Sequence, residues 1–169
     1  LVLQQVGPGC EEFWGSDFSA GALGALQRWL SEQALLQHVK LLQRRAHEFD
    51  ELPQRMFDTV VLNSVVQYFP DVEYLLAVLS GAVKRVGNGG RIFIGDVRHL
   101  GLLEAFHASV QLARAEETLT VGQLRSRIAR AVENDKELVI DPQFFAQLPQ
   151  HVPQITQVRI ELKQRGGDN

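Results

Sequence analysis

At 169 residues the chain is long enough to bury a core of its own, and one domain is expected. With 45% apolar and 22% charged residues it has the make-up of a water-soluble fold, and a formal net charge of −3 argues against a nucleic-acid partner, which needs a basic face. The single cysteine, Cys10, excludes a disulfide framework or a cysteine-built metal centre within one chain and fits a reducing, cytoplasmic setting, and no run of about 18 apolar residues predicts a membrane span.

Residues 1–6 are apolar but lack the basic flank of a secretion signal. Residues 11–17, "EEFWGSD", predict a short strand ending in an acid. "SAGALGALQRWLSEQ" follows, with Leu23, Leu26 and Leu30 at helical spacing and Ser19 as N-cap. "HVKLLQ", residues 38–43, predicts a second strand, and a polar connection with Pro53 leads to "FDTVVLN", residues 57–63. The unbroken Val60, Val61, Leu62 run suits a strand buried on both faces of a parallel sheet.

After Pro70, Asp71 can cap a helix in which Leu75, Leu76, Leu79, Ala82, Val83 and Val86 keep the 3.6-residue period. "GNGG", residues 87–90, is expected to stop that helix as a turn. It precedes a strand, "RIFIGD", so its amides cannot gather at a helix N-terminus as in a phosphate loop. Strand, helix, strand, strand, helix, strand is the order of an α/β fold with a parallel sheet.

Residues 102–115 predict a further helix. Thr120 and Gln123 have capping-box spacing, and Leu124, Ile128 and Val132 form an apolar stripe, with Arg125, Arg127 and Arg130 off it. Those arginines read as a solvated helix face or as a contact for an acidic partner. Residues 141–153 predict a loop with a short helical turn. "ITQVRIELKQ" alternates like a half-exposed antiparallel strand, and "RGGDN" reads as a hairpin turn with nothing after it.

Ligands of open parallel sheets bind beyond the strands' carboxyl ends. Asp17, Asn63 and Asp96 fall at such ends. Asp17 could accept two hydrogen bonds from a ribose diol or act as a helix cap; for Asp96, capping or satisfaction of a loop is the leading reading. No histidine pair has metal-ligand spacing, and no metal is expected. His99 and His107 read as solvated surface residues that could also face a substrate. Trp14 is expected to pack on the sheet and Trp29 on the helix.

The blocks "GSDFS", "FDTVVLNSVVQYFP", "GGRIFIGDVR", "LLEAFHASV" and "LVIDPQFF", in this order, closely resemble the methyltransferase domains embedded in nonribosomal peptide synthetases. The resemblance implies a Rossmann-like class I methyltransferase fold with S-adenosylmethionine as cofactor. The expected reaction is N-methylation of the α-amine of an aminoacyl thioester on a phosphopantetheine carrier, among neighbouring synthetase domains. By the same resemblance, Asp17 would bind the ribose, Phe18 would flank the adenine, and Ala46 and His47 would lie along its edge. Many relatives carry an acid near there, where this chain reads "RRAHEFDEL". Asn63, Ser64, Gln67 and Tyr68 would line the cofactor and acceptor side of the cleft, with residues 97–153 as a helical and loop region on the substrate side. Apart from the resemblance, Tyr68, Asn63 or His99 is expected to orient the amine.

The family's first strand and glycine-rich turn are expected upstream of residue 1, and its last strand beyond residue 169. The isolated chain is therefore expected to be inactive and to self-associate through open sheet edges. Two other readings compete: a non-catalytic methyltransferase-like module serving protein contacts in a megasynthase, and another Rossmann-type enzyme such as a dehydrogenase, which the missing GxGxxG disfavours.

Overall fold

A computed structural model describes residues 2–50 and 52–163. The chain falls into two compact units, Leu1–Leu52 and Pro53–Asn169. The "RGGDN" hairpin turn lies outside the described residues.

The first unit runs α1 (Val2–Val6), a 3-10 turn (Gly7–Gly9), β1 (Phe13–Asp17), α2 (Ala20–Ser31), a second 3-10 turn (Ala34–Leu36) and β2 (Val39–Gln43). β1 and β2 pair in parallel, from Phe13 opposite Val39 to Asp17 opposite Gln43. A parallel pair needs a crossover, and α2 supplies it. Its N-terminus is held as the sequence suggests: Ser19 Oγ accepts from the Ala22 amide at 3.2 Å. Leu3, Leu30 and Leu36 form the core, with Phe13, Trp29 and Leu41 packed on it. Trp14 turns its indole N–H to Glu12, and Lys40 stands over its ring.

The second unit begins with β3 (Phe57–Asn63), a 3-10 turn (Val66–Tyr68), α3 (Val72–Val83) and β4 (Val86–Gly95). β5 (Arg98–His99), a 3-10 turn (Leu100–Leu102), α4 (Leu103–Ala113), α5 (Val121–Glu133), β6 (Val139–Ile140), α6 (Pro142–Ala146) and α7 (Leu148–His151) follow. β3 pairs with β4 and β5 with β6, both in parallel. Asp71 caps α3 by accepting from the Tyr74 amide at 2.7 Å, and Leu75, Val78, Leu79 and Ala82 are buried along one face. That i, i+3, i+4, i+7 spacing is what a helix needs to cover a sheet. Leu75, Leu79, Val66, Ile140 and Leu148 form the core, with Leu62, Ile92 and Ile94 packed on it.

Four expectations are corrected. α3 ends at Val83, before the glycines, and "GNGG" lies inside β4. Asp58 alone on β3 faces residues 87–90 on β4, because the register steps from Phe57 opposite Val86 to Thr59 opposite Arg91. The glycines form a bulge: Gly89 has φ +76°, and a Cβ on Gly90 would lie 2.8 Å from the Asp58 carbonyl oxygen. β3 is not buried on both faces: Val61 is 42% and its neighbour Phe93 54% exposed, since α3 covers only the face of Leu62, Ile92 and Ile94.

Residues 155–163 form no strand; Ile155 and Val158 pack on the core, and no strand among the described residues pairs with them. His107 is no solvated surface residue, because its ring turns inward to Asp135. No helix among the described residues is long and apolar enough to cross a membrane.

Candidate functional site

β3 and β4 end side by side, Asn63 opposite Gly95, and the chain leaves both ends in the same way. Ser64 has φ 58° and Asp96 has φ 60°, a left-handed backbone that costs an ordinary L-residue about 1–2 kcal/mol. Two such residues on adjacent strands need something to hold them. The Ser64 hydroxyl donates to Asp96 Oδ2 at 2.6 Å, Asn63 Nδ2 donates to Ser64 Oγ at 3.0 Å and reaches Asp96 Oδ2 at 3.5 Å. The Ser64 amide donates to the Gly95 carbonyl at 3.2 Å.

Gly95 is required by this closeness. A Cβ there would come within 2.8 Å of the Phe93 ring and nearer still to Asn63 Oδ1. Lys163 Nζ reaches Asp96 Oδ1 at 2.5 Å. The Lys163 ammonium, then the Ser64 hydroxyl, with a smaller contribution from Asn63, hold the Asp96 carboxyl below its usual range against a modest desolvation. Asp96 is thus the centre of the cluster, beyond the loop-satisfying part expected of it. The sequence shows two apolar strands, each followed at once by a small polar residue, but not that these two residues meet.

Around this cluster lie groups with unspent bonding capacity. Gln67 Oε1 and His99 Nδ1 are buried with no hydrogen-bond partner among the described residues. Gln67 sits in the turn just after β3, and its carbonyl accepts from the Leu138 amide at 2.8 Å. Tyr68, next in that turn, is 71% exposed. The structure therefore gathers Asn63, Ser64, Gln67 and Tyr68 on one short exit from β3. His99, on β5, is paired with Ile140 two residues beyond Leu138.

In the first unit, Asp17 ends β1 and its Oδ1 accepts from the Ser19 amide at 2.7 Å, so it braces the cap of α2. Phe18 beside it is 75% exposed. Ala46 is half-buried and His47 exposed, both in the connection after β2.

A second polar network was not legible in the sequence, its members being far apart along the chain. Arg98 on β5 bridges Asp135 at 2.8 Å and also binds Glu137, and His107 Nε2 on α4 meets Asp135 Oδ2 at 2.8 Å. The Arg98 guanidinium stacks on Phe106. The Glu137 amide, then His107 and Arg98, hold the Asp135 carboxyl low despite desolvation. This network ties β5, α4 and the return from α5 together.

Parallel strand pairs with polar and strained residues just beyond their ends are the arrangement at which open α/β folds hold their ligands. Residues 1–94 match the family model described as "Methyltransferase domain". The chain belongs to that family, and its fold is the Rossmann-like methyltransferase fold. It is 46% identical over 163 residues to the chondramide synthase cmdD of Chondromyces crocatus, a match covering 96% of this chain and 4% of the synthase. It is 38% identical over 112 residues to the beauvericin nonribosomal cyclodepsipeptide synthetase of Beauveria bassiana, covering 66% of this chain and 4% of that protein. The resemblance to methyltransferase domains of nonribosomal peptide synthetases therefore stands, and the chain spans a small part of the relatives it matches. Among solved structures, a possible exported protein of Bordetella parapertussis shares the fold at 16% identity, with a TM-score of 0.56 over 83% of this chain and 46% of that one.

Proposed function

We propose that this chain is the S-adenosylmethionine-dependent methyltransferase domain of a cytoplasmic nonribosomal peptide synthetase, and that it N-methylates the α-amine of a carrier-bound aminoacyl thioester. The observation that supports this most is the pair of left-handed strand exits at Ser64 and Asp96, locked together beside Asn63 in a chain of the methyltransferase family. Backbone strain of this kind persists where a site demands it.

Residues of the first unit suit the adenosine part of the cofactor. Asp17 offers a carboxylate acceptor at a strand end, as a ribose diol requires, and Phe18 offers an exposed ring for the adenine. Ala46 and His47 would lie along the adenine edge. Ser64 and Gln67 would serve the cofactor side, where the partnerless Gln67 Oε1 is an acceptor still to be satisfied.

When bound, S-adenosylmethionine supplies a methyl group already activated on a sulfonium. The protein's task is then mostly orientation, which can contribute about 7–11 kcal/mol. An α-amine has a pKa of about 7.7–8.0, so a neutral fraction exists near neutrality without a strong base. Asn63, Tyr68 and His99 would orient the amine, His99 through a ring Nδ1 that has no partner among the described residues.

The test is methyl transfer by the intact synthetase, loaded with its amino acid and given labelled S-adenosylmethionine. The expected product is an N-methylated aminoacyl thioester, lost in Asn63→Ala. Label on carbon, or an unmodified thioester from a protein that still binds its neighbouring domains, would overturn the reading in favour of C-methylation or of a non-catalytic module.

A further inference from the structure

The helical hairpin of α4 and α5 leaves and rejoins the second unit at the edge that carries Asn63, Ser64 and Asp96. It leaves from β5, two residues after Asp96. It returns at Leu138, whose amide donates to the Gln67 carbonyl. Its base is clamped by Arg98, Asp135, Glu137 and His107. The hairpin is therefore fixed at its root beside the candidate site.

α5 turns Leu124, Ile128 and Val132, half-buried, to one side. On another, Gln123, Ser126, Arg127 and Arg130 follow i, i+3, i+4, i+7 spacing and line an open groove with Leu119 and Gly122. Arg127 and Arg130 pair with no acid among the described residues; Arg130 reaches only the Ser126 carbonyl of its own helix. Glu116 and Glu117, the nearest acids before the helix, do not line the groove. Two unpaired guanidiniums on one face are notable in a chain of net charge −3. Arg125 is different, since it shares its own flank with Glu104 and Glu133.

We infer that the Arg127–Arg130 face of α5 docks an acidic surface of the carrier domain that delivers the aminoacyl thioester. The inference rests on the proposed function and adds where the carrier sits. Charge complementarity argues for an acidic partner. The rooting of the hairpin argues for this partner, because a domain held there brings its tethered substrate to the site. Charges at such a rim act mainly on encounter, so their removal should slow delivery without touching the chemistry.

Two measurements on the intact synthetase test it. In the first, Arg127→Glu/Arg130→Glu is compared with the parent on the carrier-tethered substrate and on a small soluble aminoacyl thioester. The expected result is a fall of about tenfold or more for the tethered substrate, with the soluble one unchanged and the salt dependence of the tethered rate reduced. Equal effects on both substrates, or on neither, would overturn the inference.

In the second, a photo-crosslinker replaces Ser126. A carrier-domain peptide rich in acids, lost in the double variant, is the expected product. Attachment to another domain, to a second copy of the chain, or to nothing would refute the docking. The cross-link decides the docking even if neither substrate is methylated, which would count against the proposed activity alone.

Discussion

Replacing Asp96 separates the two things that hold it. Asp96→Asn keeps a residue type that tolerates the left-handed backbone and an oxygen that can still accept from Ser64, so only the charge assistance goes, at about 1 kcal/mol. Asp96→Gly loses the 2.6 Å bond but adopts φ 60° freely. Because the Asp96 side chain is 26% exposed, the charged bond is taken at the low end of its range, about 1.5–2 kcal/mol. Asp96→Ala loses the bond and adds about 1–2 kcal/mol of left-handed strain, for a total near 3 kcal/mol. The Lys163 contact adds little, since that lysine is 78% exposed.

The expected order of stability is therefore Asp, Asn, Gly, Ala. Tryptophan fluorescence would miss this, because Trp14 and Trp29 both belong to the Leu1–Leu52 unit. Hydrogen exchange of the β3 and β4 amides under urea, including the Ser64 amide, reads the right unit. Alanine and asparagine variants within about 1 kcal/mol of each other would show that neither strain nor the carboxylate bond holds the cluster.

Asp17→Ala should weaken S-adenosylmethionine binding by about 1.5–3 kcal/mol in the intact protein, measured by calorimetry; unchanged affinity would leave Asp17 as a brace for Ser19 alone. Tyr68→Phe should lower the methylation rate more than cofactor affinity, and an effect on affinity only would remove it from the acceptor side. Asp96 and Asp135 both have folded pKa values below the unfolded value of about 3.9. Their stabilisation is thus complete above that value and is lost as pH falls through the lower folded values. The Pro53–Asn169 unit should lose stability below about pH 4, and Asp135→Asn should flatten that slope; coincident slopes would refute the attribution.

The sequence was most legible where local physics decides the outcome. Ser19, Asp71 and the Thr120–Gln123 capping box all form as their spacing implies, because a cap needs only residues within one turn. α3 and α5 follow their apolar stripes for the same reason. β5 and β6 were invisible, since two residues cannot display a period. The glycine run was misplaced because glycine ends helices and permits bulges alike, and only the partner strand distinguishes the two. Residues 155–163 have a strand's alternation but no neighbouring strand among the described residues, so pattern alone did not make a strand. In the site, Asn63, Ser64, Gln67 and Tyr68 were visible as a polar run after an apolar one. The links Ser64–Asp96 and His107–Asp135 were not, being tertiary contacts that no local rule encodes.

The bond between Ser64 and Asp96 makes the two strand exits behave as a geared pair. Each exit has a left-handed backbone, and the two side chains are hydrogen-bonded to one another. A change at either exit also removes a hydrogen bond from the other. Arg98, where the clamp on the helical hairpin begins, stands only two residues past Asp96, so the paired exits and the root of the hairpin lie on one short stretch of chain.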